Sequence, residues 1–145
     1  MTNAGPTPTP LPWLLRRVNQ RYRAAVALRL RNAGFGDLPQ PGYWALSALA
    51  GGAGDASRLV SEMGASKQAV SKLVDALVDA GYVDRKANEA DRRRTELHLT
   101  ARGRKAVGVI EKAVRATEER FATELGTESL AGLVRMLEHL AHEEA

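Results

Sequence analysis

From residue 11 onward, apolar side chains recur at three- and four-residue steps, and only once, for a short stretch, at every second residue. Leu15, Val18, Tyr22, Ala25 and Val26 form the first stripe, with Arg16, Arg17, Arg21 and Arg23 mostly off it, the spacing of an amphipathic helix. Pro12 suits the first turn, where an amide proton has no partner to lose. Asn32-Ala33-Gly34 ends this helix, which is predicted to run to about Arg31. A second helix starts near Pro41 and passes through Trp44, Leu46 and Leu49, and the Gly51–Gly54 stretch stops it. Asp55 caps a short third helix over 56–63, and Ser66 caps a fourth over 67–80, with Gly64 and Gly81 as the stops. Residues 1–10 are rich in Thr and Pro and predict a flexible tail.

The period then changes. Tyr82-Val83-Asp84-Arg85 is strand-like, residues 87–94 are charged and turn-prone, and Thr95, Leu97 and Leu99 alternate with Glu96 and His98. This is a hairpin with a charged tip. Thr100 caps a fifth helix striped by Val107, Ile110, Ala113, Val114, Thr117 and Phe121. Gly126-Thr127 breaks the chain and restarts it as a last helix carrying Leu130, Leu133, Val134, Leu137 and Leu140. No long internal repeat is visible. The fold class is mainly α, a winged helix-turn-helix with a small β-hairpin wing and a helical region flanking it.

Composition narrows the function. With 44% hydrophobic residues the chain can build a core, and with only 5% aromatic residues Ala, Val and Leu must fill it. The formal charge is +4, unevenly spread: residues 1–55 and 56–105 each carry net +4, and residues 106–145 carry net −4. A polyanion is therefore the expected partner of the first two thirds. The absence of cysteine excludes disulfides, thiol switches and Cys-bound zinc. No apolar run approaches the roughly 20 residues of a membrane span, and the first ten residues lack the character of a signal peptide. The expectation is a soluble cytoplasmic protein.

The segment Ser57–Leu77 joins a short helix bearing Leu59 and Val60, a glycine turn and a longer helix, the layout of a helix-turn-helix. Val70 and Leu73 are placed to pack back on Leu59 and Met63. At about 100° per residue, Lys67, Gln68, Ser71, Lys72, Asp75 and Asp79 share a roughly 140° polar arc. Ala69, Val70, Leu73, Val74, Ala76 and Leu77 take the other side. Ser66, Lys67, Gln68, Ser71 and Lys72, at the helix start, are of the types that contact phosphates and base edges. The hairpin tip adds Asp91, Arg92, Arg93 and Arg94. Three consecutive arginines repel one another unless an anion lies near, and behind a helix-turn-helix they form a wing that can reach a minor groove or its phosphates. Asp91 is expected to brace one guanidinium.

Taken together, the helix-turn-helix, Leu77-Val-Asp-Ala-Gly-Tyr-Val-Asp-Arg85, the wing Asp91-Arg92-Arg93 and Leu99-Thr-Ala-Arg-Gly103 resemble the MarR family of winged helix-turn-helix transcription regulators over about residues 11–142. Any one of these segments alone is a weak signal. The resemblance implies a homodimer whose first, fifth and sixth helices interlock, a pseudo-palindromic duplex DNA operator, and often a small aromatic or phenolic effector. It matches Asp91 and Arg93 to the wing's Asp-x-Arg. Val60 departs from the pattern, because helix-turn-helix units usually carry Ala there. The domain reading is a tail over 1–10 and one MarR-like domain over 11–145. Within it, 11–33 and 101–145 are dimerisation helices and 40–100 the DNA-binding lobe.

Dimerisation also follows from the residues. The first helix and the last two carry more apolar stripe than a small winged lobe can cover, and a second chain is the economical cover. Trp13, Tyr22, Tyr43 and Trp44 are the large side chains available to line an effector pocket. Catalysis has little support: His98, His139 and His142 lack a third ligand set, no Ser-His-Asp grouping or phosphate-cradling loop is visible, and neither metal nor cofactor is expected. The functional expectation is a sequence-specific DNA-binding regulator, a repressor relieved by a small effector. The alternative is a winged-helix protein-interaction module without DNA binding, against which the basic fourth helix and wing argue.

Overall fold

The computed structural model describes residues 8–142; part of the expected tail, residues 1–7, lies outside the described residues. The elements follow the predicted order: α1 Leu11–Asn32, α2 Gly42–Ala50, α3 Ala56–Met63, α4 Lys67–Asp79, β1 Val83–Ala87, β2 Thr95–Leu99, α5 Ala101–Leu125 and α6 Thr127–His142. Three of the expected caps form. The Asp55 carboxylate accepts from the Arg58 amide, the Ser66 hydroxyl from the Ala69 amide and the Thr100 hydroxyl from the Gly103 amide, each satisfying a helix-start donor with no partner in the helix. Gly64 closes α3 at φ 58°, the left-handed region an L side chain rarely adopts.

The core runs through the winged lobe and onto the long helices. Leu46, Leu59, Val70, Leu77, Tyr82 and Val83 are fully buried, and Val26 of α1 and Ala106 and Ile110 of α5 join the same cluster. Val70 and Leu73 of α4 thus share one core with Leu59, and Met63 packs on it. Ala69 departs from the helical-wheel expectation. It is exposed, because the first turn of α4 stands clear of the core that the following residues meet.

The hairpin pairs antiparallel from Val83↔Leu99 to Ala87↔Thr95. It begins one residue later than the sequence pattern predicts and extends two residues further. Tyr82 is spared because its amide donates to the Leu77 carbonyl in the turn that closes α4, while Lys86 and Ala87 extend the ladder by pairing with Glu96 and Thr95. A third segment also touches the sheet. Asp55 forms a bridge to Glu96, and the Gly54 carbonyl accepts from the Leu97 amide at 2.9 Å. The glycine-rich connection before α3 is thereby anchored to the wing.

Candidate nucleic-acid interface

α4 presents the surface that its periodicity predicts. Val70, Leu73, Val74 and Leu77 are buried, while Lys67, Gln68, Ser71 and Lys72 are exposed. Ser66 itself is spent on capping. Asp75 and Asp79 would oppose a polyanion, but Asp75 is paired with Arg85 of β1. That pair cancels the nearer carboxylate and ties the base of the wing to α4. A cleft of about 280 Å³ opens between α3, α4 and the hairpin, lined by Ser57, Val60, Lys67, Ser71, Arg85 and Thr95. Val60 is thus half-buried at the mouth of this cleft. Arg85 was not singled out from sequence, since its value depends on which strand residue faces α4.

The tip of the wing is held by its own backbone. The Asn88 side-chain oxygen accepts from the amides of Ala90 and Asp91 at 2.8 and 3.0 Å, and the Asn88 amide donates to the Arg94 carbonyl. The expected brace between Asp91 and a guanidinium is not what forms. The Asp91 carboxylate accepts instead from the backbone amide of Arg93 at 3.0 Å, the short-range turn bond that aspartate favours two residues on. Asp91 therefore sets the path of the chain and leaves the guanidiniums free. Arg92, Arg93 and Arg94 are exposed and form no ion pair among the described residues. At the base of the wing, Glu96 accepts from Asn88 and pairs with His98 at 3.0 Å.

Behind the lobe, Arg102 joins three elements. Its guanidinium takes both Asp37 carboxylate oxygens at 2.9 and 3.0 Å, donates to the Ala80 carbonyl and lies 4.3 Å over the Tyr82 ring. The Tyr82 hydroxyl donates to the same carboxylate at 2.6 Å. The hydrogen bonds from Arg102 and Tyr82 hold the Asp37 carboxyl below its ordinary range. Burial, then the bond to Asp37, pushes the Tyr82 phenol up to about 12. This clamp fixes the α1–α2 loop, the end of α4 and the start of α5 to one another.

The large aromatics divide. Tyr22, Tyr43 and Trp44 come together around a cavity of about 630 Å³ between α1, α2 and α5, with Ser47, Val114 and Arg115. Tyr43 stacks on Trp44 with ring centroids 4.9 Å apart and reaches Asn19 with its hydroxyl. Trp13 does not line this cavity; it stands 63% exposed in the first turn of α1. Among the described residues no group of three or more His, Cys, Asp or Glu could hold a metal ion, and no helix is long and apolar enough to cross a membrane.

The family model of the MarR family matches residues 37–94, the span from the α1–α2 loop to the tip of the wing. An HTH-type transcriptional repressor of Mycobacterium bovis, Mb2911, is 32% identical over 135 residues, covering 92% of this chain and 95% of that protein. A putative transcriptional regulatory protein for the hcr operon of Thauera aromatica is 30% identical over 104 residues, covering 71% of this chain and 63% of the relative. Among solved structures, the Mycobacterium tuberculosis MarR family protein Rv2887 superposes with a TM-score of 0.67 in two complexes. The complex with p-aminosalicylic acid is 31% identical and covers 92% of this chain and 99% of that one. The complex with DNA is 30% identical and covers 92% and 98%.

Proposed function

The chain belongs to the MarR family of transcriptional regulators, and we propose that it binds a pseudo-palindromic operator as a homodimer, acting as a repressor that a small aromatic effector releases. The reading rests above all on one observation: the exposed start of α4 and the unpaired wing arginines are held together by the Asp75–Arg85 pair. In this reading Ser66 sets the start of the recognition helix and Lys67, Gln68, Ser71 and Lys72 enter the major groove. The wing, shaped by Asp91, lays Arg92, Arg93 and Arg94 along the neighbouring backbone or minor groove. The lobe spans 40–100, and the segments 11–33 and 101–145 join the two copies. With DNA as its partner, the protein works in the cytoplasm.

Genomic footprinting of the purified protein tests this and returns the operator. Salt-sensitive, sequence-selective protection of symmetric sites is the expected result. Binding that is absent, or indifferent to salt, would favour a protein-interaction module instead.

The effector enters the cavity lined by Tyr22, Tyr43 and Trp44, where apolar rings meet a few polar groups. The p-aminosalicylic acid bound by Rv2887 supports an aromatic of that size. Trp44 is the reporter: p-aminosalicylic acid should quench its fluorescence and weaken operator binding at the same concentrations. Quenching without a change in DNA affinity would remove the regulatory role.

A further inference from the structure

A second cavity lies beside α1 and carries a different chemistry. It holds about 260 Å³ between the C-terminal half of α1 and the loop 33–41, and it shares only Tyr43 with the larger cavity. Its floor is apolar, from Val26, Leu30, Phe35 and Leu38, and its polar lining is Arg23, Arg31 and Gln40. No carboxylate lines it. Asp37, in the adjacent loop, is already taken by Arg102 and Tyr82. Arg23 donates to the Gln40 side-chain oxygen at 3.3 Å, a neutral partner, and the Arg31 side chain has no hydrogen bond or ion pair among the described residues. Eight residues separate the two arginines, about 12 Å along the helix axis, so the guanidiniums stand at the two ends of the apolar floor.

We propose that this cavity is a binding site for a small organic carboxylate. A guanidinium presents paired donors that match a carboxylate's two oxygens, and the apolar floor accepts the body of the ligand. The cavity lies just below the usual size range of small-molecule sites, which restricts the ligand to about one ring. Its wall, the 33–41 loop, also carries Asp37 of the Arg102 clamp, so occupancy braces the segment that joins α1 to the winged lobe. The site is distinct from the aromatic cavity in position and in charge, and it does not depend on the DNA reading.

The test is a titration of the full chain, labelled with nitrogen-15, with benzoate and with its neutral counterpart benzamide. Benzoate should shift the amides of Ala27, Phe35, Gly36 and Gln40, and benzamide should leave them in place. Arg23→Gln with Arg31→Gln should weaken this binding by about tenfold or more, the loss of a charge-assisted pair. Arg29→Gln on the same helix should leave it unchanged. Both substituted arginines are exposed, so the melting temperature should hold, and the benzoate–benzamide contrast in the unaltered chain decides the matter in any case. Shifts at Ser47, Val114 and Arg115 in addition to these are compatible with the proposal. It is overturned by shifts confined to those residues, by equal shifts with benzamide, by shifts at Gly36 that survive the double substitution, or by no shifts at all. Operator binding by the ligand-free protein is measured separately and reports on the DNA reading alone.

Discussion

Lys67 and Gln68 are neighbours in the exposed first turn of α4, yet their chemistry assigns them different work. A glutamine amide donates and accepts together, which matches N6 and N7 of adenine, whereas a lysine is a point charge that any phosphate satisfies. Gln68→Ala should therefore cost about 1–3 kcal/mol on the operator and little on random DNA. Lys67→Ala should lower both affinities alike. The comparison is made by fluorescence anisotropy at one fixed salt concentration, and an unchanged specificity ratio for Gln68→Ala would move base reading to Ser71. Arg93 belongs with the charges, since its guanidinium has no ion pair among the described residues while its amide is held by Asp91. Arg93→Ala should weaken binding to all sequences and lower the log–log salt slope by about one per subunit. If slope and affinity both stayed put, the wing would not touch DNA.

At the scale of elements, the junction between the wing and α5 leaves no room for a side chain at Gly103. A Cβ built on Gly103 would lie 2.1 Å from the Tyr82 carbonyl oxygen, a backbone atom that cannot swing aside. The same carbonyl accepts from the Thr100 amide, and the Thr100 hydroxyl bonds to Gly81. Gly103→Ala must push α5 off the winged lobe and should destabilise the protein by about 1–3 kcal/mol, as overpacking of a filled site does. Urea unfolding followed by circular dichroism measures it, and a midpoint equal to that of the parent would show that the junction yields freely. The Asp37–Arg102–Tyr82 clamp adds a pH dependence. Because Asp37 titrates lower in the folded state than its ordinary 3.8, its contribution is present above that value and is lost as pH falls through the folded value. Asp37→Asn should lose stability at neutral pH and show a flatter acid limb than the parent. Parallel acid limbs in the two proteins would show that the clamp carries no linkage.

Across the whole molecule, the unburied apolar surface is concentrated at one set of helices. α6 has no buried residue, and Leu133, Val134, Met136 and Leu140 are all exposed. Leu11, Trp13, Leu14, Leu15 and Val18 are exposed at the start of α1. Inside the chain α1 meets α5, through the edge-to-face contact of Tyr22 with Phe121 at 5.5 Å and Arg21 over the same ring, and these contacts leave the exposed start of α1 and the face of α6 uncovered. A surface of this kind is the mark of an interface. The intact chain should therefore sediment as a homodimer at micromolar concentration. Leu133→Glu with Leu140→Glu should yield monomers with reduced operator affinity, and deletion of residues 127–145 should yield monomers or aggregates. A monodisperse monomer of the intact chain would refute the reading.

The order of the eight elements, their caps and the polar face of α4 were legible in the sequence because each depends on residues close in the chain. Asp55, Ser66 and Thr100 cap through bonds three residues long, and the burial of Val70, Leu73, Val74 and Leu77 follows from the helical period alone. What the pattern misplaced lay at the edges. Asp91 bonds to a backbone amide instead of a guanidinium because the turn brings the amide nearer, and Trp13 points away from the aromatic cavity because only tertiary packing decides which part of α1 faces α2. The contacts that assemble the lobe span long distances in sequence and leave no local signal. Arg102 reaches Asp37 across 65 residues, Tyr82 reaches the same carboxylate across 45, and the bridge from Asp55 to Glu96 closes a gap of similar size. Local periodicity selects helix or strand through backbone geometry and the burial of one face. Which charged groups meet, and where a cavity remains between them, is settled only when distant faces pack.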